Sequence, residues 1–371
     1  MKYYIIAGEA SGDLHGSNLI KAILKNDPAA QIQCWGGELM QAAGGKLVKH
    51  YRSLAFMGFV EVLLNLPTIL SNISFCKKDI TAFEPDILIC IDYPGFNLRI
   101  AKWAKAKGMK VVYFIAPQVW AWKENRVPAM RNSIDRLLCI LPFEKKYFKD
   151  RWNWEVDYVG HPLMEVMDAL ETLPHPLPHL QNQQVIALLP GSRQQEIQKK
   201  LPIMLSVAKE FPMEHFVVAQ APGIDAVWFN TLIPNIPNMH VVAANTYAIL
   251  QHSKAALVTS GTATLETALL NVPEIVCYKG NAITLALAKR FVKIKFIALV
   301  NLIMDKEVVK ELIQEDLTTK NLSIELKKLL QDPTRQAAIK ADYAALKQAL
   351  TTGEKATEVA AGIIQEELNQ K

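Results

Sequence analysis

The chain has 371 residues, half of them hydrophobic and 21% charged, with a formal net charge of +5. That composition allows a large core, and the length favours two domains over one. The mild positive charge suits an anionic ligand or an anionic membrane surface, and no basic run interleaved with aromatics reads as a nucleic-acid module.

Strand-like and helix-like runs alternate along the chain. In the first half the strands are expected at residues 3–7, 32–35, 87–91, 111–115, 136–140 and 156–159, with helical patterns at 13–25 and 97–107. Short strands that are apolar on both faces, with helices between them, specify a parallel sheet covered on both sides. Residues 168–184 break the pattern. Pro174, Pro176 and Pro178 fall there among His and Gln, which suits an interdomain linker. Strands resume at 185–189, 216–219, 240–242, 255–259 and 274–278, and from about Leu322 the chain reads as helical to its end. The expected architecture is α/β, with two Rossmann-like domains and a ligand cleft between them. They span residues 1–167 and 185–335. The helices of 336–371 either pack back on the first domain or exchange between the two chains of a homodimer.

The five cysteines, Cys34, Cys76, Cys90, Cys139 and Cys277, form no C-x-x-C pair and fall partly inside apolar runs. Buried free thiols in a reducing compartment are expected, not disulfides or a zinc site. The apolar run at 3–7 is too short for a signal-peptide core, and no stretch of about 18 uninterrupted apolar residues exists. A cytoplasmic protein without a membrane span is the expectation.

The most informative motif is Leu189-Pro190-Gly191-Ser192-Arg193, where a strand runs into a turn and then into a helix pattern at 194–211. The order places free backbone N–H groups and the positive end of a helix dipole beside a guanidinium, which makes an anion site. A second such element follows: a strand at 255–259, the turn Ser260-Gly261-Thr262-Ala263-Thr264, and a helix containing Glu266. Two anion sites in one half of a chain suggest a diphosphate, and Glu266 is placed to hold sugar hydroxyls. The alternative for each is an ordinary helix start.

The first half has its own polar turns. Gly8-Glu9-Ala10-Ser11-Gly12-Asp13 follows the first strand without dinucleotide spacing, and is either a close approach for substrate or a tight strand-to-helix turn. Asp92 ends the strand at 87–91, where a carboxylate serves as a general base or caps a turn. Trp120 and Trp122, with Lys123 and Arg126 beside them, make either a wall for a sugar or acyl chain or ordinary core packing. His161 reads as a phosphate contact or, more simply, a structural histidine. Met57, Phe59, Val60, Val62, Leu63 and Leu66 lie in a segment apolar around most of a helix. That segment is either core or a membrane-interface face, which the basic residues Lys77, Lys78, Lys289, Arg290, Lys293 and Lys295 would reinforce.

Nine motifs, in order, also resemble one family. They are Gly-Glu-Ala-Ser-Gly-Asp at 8–13, Met-Gly-Phe-Val-Glu-Val at 57–62, Ile-Asp-Tyr-Pro-Gly-Phe-Asn at 91–97 and Val-Trp-Ala-Trp at 119–122. Leu-Pro-Phe-Glu at 141–144, Gly-His-Pro at 160–162, Leu-Pro-Gly-Ser-Arg at 189–193, Ser-Gly-Thr-Ala-Thr-Leu-Glu at 260–266 and Asn301-Leu302 complete the set. The chain resembles the lipid-A-disaccharide synthases, inverting glycosyltransferases of the GT-B fold. The resemblance implies condensation of UDP-2,3-diacylglucosamine with 2,3-diacylglucosamine 1-phosphate, giving the β-1,6 disaccharide 1-phosphate and UDP. The setting it implies is the cytoplasmic face of the inner membrane of a Gram-negative bacterium.

On that resemblance Asp92 is the general base, and the UDP-sugar contacts are Gly191, Ser192, Arg193, Ser260, Gly261, Thr262, Ala263, Thr264, Glu266 and Asn301. Gly8, Glu9, Ser11, Gly12, Gln118 and Trp120 fall on the acceptor side. Residues 57–66 form the membrane and acyl-chain patch. Neither a metal nor a cofactor is expected: the chain has no D-x-D sequence, so helix dipoles and Arg193 are assigned the neutralisation of UDP. Gly95 stands where many members carry a second Asp, and Ala116 and Gln118 replace the commoner serines. Two other functions fit the architecture. One is a transferase or epimerase acting on a soluble UDP-sugar; the other is a non-catalytic nucleotide-sugar-binding protein.

Overall fold

The computed structural model describes residues 1–54, 66–280 and 295–370. The chain divides into two compact units, Met1–Glu165 with Leu350–Lys371, and Val166–Ala349. Each is built on one wholly parallel sheet with helices on its faces.

In the first unit the strands are β1 (Lys2–Ala7), β2 (Gln31–Gly36), β3 (Lys46–His50), β4 (Ile87–Ile91), β5 (Lys110–Phe114), β6 (Arg136–Cys139) and β7 (Asp157–Tyr158). Their order is β3-β2-β1-β4-β5-β6-β7. Successive side chains of β1 serve different cores. Tyr4 and Ile6 join Trp35, Leu88 and Tyr113 on one face, while Tyr3, Ile5 and Ala7 join Leu19, Ile20 and Val112 on the other. That double burial is why β1, β4 and β5 carry no charged residue after their first position. The last helix, Ala356–Asn369, supplies Ala360, Ala361 and Ile364 to the second of these cores, so the chain's end packs against its beginning. Glu165 holds the start of that helix, accepting from the Thr357 backbone N–H at 2.7 Å and from its hydroxyl at 2.7 Å.

In the second unit the strands are β8 (Val185–Leu189), β9 (Phe216–Gln220), β10 (Met239–Ala243), β11 (Ser253–Thr259), β12 (Glu274–Tyr278) and β13 (Lys310–Ile313). Their order is β10-β9-β8-β11-β12-β13. The Pro-rich segment that reads as a linker lies against this sheet: Leu180 is buried, and Leu173 exchanges hydrogen bonds with Gln251 and His252. The helix Pro333–Leu350 also belongs here, its buried Tyr343 hydroxyl donating to the Val272 carbonyl at 3.2 Å.

Two strands, β3 and β13, escape the sequence pattern. Both are edge strands carrying lysine (Lys46 and Lys49 in β3, Lys310 in β13), and most of their residues are half-buried, so neither shows a doubly apolar run. Lysine on an edge also discourages pairing with another chain. All five cysteines are buried and unpaired. Among the described residues no helix is long and apolar enough to cross a membrane.

In each sheet the strand order reverses once, between β1 and β4 and between β8 and β11. Connections leave in opposite directions there, and a crevice opens at the carboxyl ends of the two strands.

Candidate active site

In the second unit the crevice is a cavity of about 410 Å³. Gly191, Ser192 and Arg193 form one wall after β8, and Ser260, Gly261, Thr262, Ala263 and Glu266 form the other after β11. The register of these strands, Leu189 opposite Val258, brings both turns out at the same level. Gly191 has φ of +106°, a left-handed conformation that other residues adopt only with strain. The turn it makes delivers the chain into the helix Gln194–Ser206, with Arg193 as the residue before its first turn. The second turn enters the helix Thr262–Leu269. Two helix starts thus face one cavity, and the first N–H groups of a helix have no partner inside it.

The side chains divide into those that face the cavity and those that shape it. Arg193 is exposed and pairs with Glu196 at 3.0 Å. Glu266 is half-buried, takes the Tyr247 hydroxyl at 2.9 Å, and has its carboxyl pushed above the usual range by burial. Ser260 donates to the Ile297 carbonyl at 3.0 Å, and Thr264, fully buried, donates to Gly261 at 2.9 Å, so these hydroxyls hold the turn. Asn301 does not line the cavity. It is fully buried, donates to the Val309 carbonyl and to Glu311, and accepts from the Val308 and Val309 N–H groups, all at 2.8–2.9 Å. Its geometry is that of a brace between the helix Leu299–Met304 and the stretch that enters β13. Three polar lining residues escape the sequence motifs: Glu196, Thr246 and Thr259.

In the first unit Gly8 leaves β1 and Asp92 leaves β4, side by side at the reversal point. A Cβ on Gly8 would come within 2.3 Å of the Tyr93 ring, so only glycine lets that ring cover the turn. Asp92 and Tyr93 both take left-handed backbone, at φ of 43° and 48°. The conformation is over-determined by its neighbours. The Asp92 carbonyl accepts from the Tyr113 hydroxyl at 2.6 Å and the Asn97 amide at 2.8 Å, and its N–H donates to the Phe114 carbonyl at 3.1 Å. Backbone strain held in this way is common at functional sites. Burial, with the Glu9 carboxylate nearby, raises the Asp92 carboxyl to about 6.

Glu9 is half-buried and precedes the helix Ala10–Asn26, Ser11 is exposed, and Gly12 packs on Ala7. Asp13, in contrast, is buried and accepts from the Gly37, Leu39 and Met40 N–H groups at 2.7–3.2 Å, which caps the helix Glu38–Ala42. The two tryptophans have different surroundings. Trp120 donates to Glu144 at 2.9 Å and meets the Phe143 ring edge-on at 4.9 Å. Trp122 is half exposed, with the Lys123 ammonium 4.0 Å from its ring centre. Gln118 is exposed. Glu144 is buried; it also accepts from the Ile140 and Leu141 N–H groups, and burial raises its carboxyl to about 7. His161 accepts from the Leu163 N–H at 3.1 Å, and burial beside His15 drops its imidazole to about 3, a structural role. Met57, Phe59, Val60, Val62 and Leu63 lie outside the described residues. Leu66 opens the helix Leu66–Phe83, on which Leu70 and Phe75 are large exposed apolar side chains.

Two doubly wound halves, with two helix starts facing one cavity in the second, define a GT-B glycosyltransferase architecture, and solved structures agree. A glycosyltransferase of kitacinnamycin superposes with a TM-score of 0.68 at 14% identity, covering 99% of each chain. A UDP-GlcNAc 2-epimerase from Neisseria meningitidis, bound to UDP-GlcNAc, gives 0.65 at 15%, again over 99% of each. At such identities the likeness is one of fold.

The sequence goes further. The family model for lipid-A-disaccharide synthetase matches residues 3–364, and the chain belongs to that family. It is 36% identical to a lipid-A-disaccharide synthase of Geobacter metallireducens, over 99% of this chain and 97% of that one. A second such synthase, from Syntrophus aciditrophicus, is also 36% identical, over 93% and 92% of the two chains. The protein is therefore a hexosyltransferase of lipid A biosynthesis.

Proposed function

We propose that the enzyme transfers 2,3-diacylglucosamine from its UDP donor to the 6-hydroxyl of 2,3-diacylglucosamine 1-phosphate, with inversion. The observation that carries the donor assignment is the pair of strand–turn–helix elements closing on one cavity, with Arg193 and Glu266 on its walls. The helix starts and Arg193 receive the diphosphate, and the half-buried Glu266 orients sugar hydroxyls.

Asp92 acts as general base. Its carboxyl sits at about 6, so it is largely ionised at neutral pH yet basic enough to accept the hydroxyl proton. As the acceptor oxygen attacks C1, its proton passes to Asp92, the C1–O bond to the diphosphate breaks, and UDP leaves as an anion. The leaving charge grows where dipoles and a guanidinium are already oriented, so little reorganisation accompanies the step.

The acyl chains and the membrane are assigned to residues 57–66. The exposed Leu70 and Phe75 on the following helix support this, as do Lys77 and Lys78. The enzyme on this reading works at the cytoplasmic face of the inner membrane, alone or as a homodimer. A radiolabelled transfer assay with the two monosaccharide lipids tests the proposal. Formation of a disaccharide 1-phosphate with release of UDP supports it. Epimerisation of a soluble UDP-sugar, or UDP binding without turnover on the lipids, would sink it.

A further inference from the structure

Beneath the Gly191 turn lies a cation that no motif signals. Lys200, on the helix Gln194–Ser206, is only 2% exposed. Its ammonium donates to the Thr259 hydroxyl and to Glu196 at 3.3 Å. Both partners line the cavity, and a Cβ built on Gly191 would stand 3.9 Å from the Lys200 nitrogen. A lysine this buried is uncommon and loses hydration, so its position needs a compensating anion. Glu196 supplies part of that compensation, but it also pairs with Arg193, so one carboxylate is shared between two cations.

The direction of the hydrogen bond adds a second element. An ammonium only donates, so Thr259 accepts from Lys200 and its own proton is available for another acceptor. Thr259 is the last residue of β11, directly before the turn Ser260–Thr264.

We propose that Lys200 and Thr259 form a relay in the cavity floor that binds the donor's diphosphate: Lys200 orients Thr259, and Thr259 donates to a phosphoryl oxygen. The inference rests on the donor-site reading above. Lys200 is a positioning residue. It transfers no proton and acts through Thr259, which lines the cavity while Lys200 lies buried behind it. Burial lowers its proton affinity, and the Glu196 carboxylate opposes that shift.

The test measures the affinity of the full-length protein for UDP, with uridine as the phosphate-free control. Lys200→Met, close in shape, should weaken UDP binding about tenfold or more and leave uridine binding unchanged, the scale of one lost charge-assisted contact. Thr259→Val should do the same and Thr259→Ser should restore wild-type affinity. Combining Lys200→Met with Thr259→Val should add little to either alone. Should Lys200→Met fail to fold, the Thr259 pair decides. Wild-type UDP affinity in Thr259→Val, or equal losses for UDP and uridine, would overturn the relay while leaving the donor site standing. A wild-type protein that binds no UDP would overturn the donor site itself.

Discussion

The base assignment predicts a pH profile whose acid limb belongs to Asp92. Burial and the Glu9 carboxylate raise its carboxyl from an ordinary 3.8 to about 6, and both causes are fixed in the fold. The active form is the ionised one, so kcat/KM should climb with pH through about 6 and then level. One unit below the midpoint about a tenth of the molecules carry the base, and each further unit costs about another tenfold. Glu9→Gln removes a like charge, so its acid limb should move to lower pH while the plateau rate stays within a few-fold. Asp92→Ala should abolish the limb and lower the plateau by about 10²–10⁴-fold, with UDP affinity nearly intact because the donor cavity lies in the other unit. Transfer rates on the two lipids at pH 4.5–8.5, with thermal unfolding as a control for folding, provide the measurement. A wild-type profile flat through pH 6, or Asp92→Ala turning over at a near-normal rate, would remove Asp92 from the mechanism.

The other predictions concern charge, membrane contact and stability. Arg193→Ala should weaken both donor binding and turnover, by about tenfold or more in kcat/KM; unaltered steady-state kinetics would argue against a diphosphate contact. Turnover should survive EDTA, and a reaction stopped by chelation and restored by magnesium would contradict neutralisation by helix dipoles and Arg193. Val60→Ser with Leu63→Glu should release the protein from anionic vesicles without lowering its melting temperature. A collapsed melting temperature or undiminished vesicle binding would place the membrane contact elsewhere. Glu274 on β12 is fully buried, and neither carboxylate oxygen has a hydrogen-bond partner among the described residues; burial holds its pKa well above 4.5. The unfolded chain ionises there first, so stability is complete below pH 4.5 and falls by about 1.4 kcal/mol per pH unit as pH rises toward the folded value. Glu274→Met should therefore stabilise the protein more at pH 7 than at pH 4.5, and a gain independent of pH in denaturant titrations would refute this.

How much of this was legible in the sequence depended on whether a residue's role is local. The central strands were readable because burial on both faces leaves an uninterrupted apolar run, as in Val185–Leu189. The edge strands β3 and β13 were not, because one side of an edge is solvated and lysine fits there. The two strand–turn–helix elements of the cavity were readable because strand, glycine turn and helix are contiguous. Asn301 marks the limit of that approach. Its place in the motif series said that it matters, while the structure shows four hydrogen bonds to Val308, Val309 and Glu311, a role that adjacency in sequence does not reveal.

Lys200 and Thr259 lie 59 positions apart and meet only because β8 and β11 are neighbours, with the helix after β8 laid back across the sheet. In the sequence Lys200 follows Lys199 in an amphipathic helix, where a solvated face is the ordinary expectation. The same reversal in strand order that opens the cavity therefore also places the cation beneath it. For a doubly wound half of this kind, the residues most worth testing are those the switch-point strands bring together at their carboxyl ends, whether or not a motif contains them.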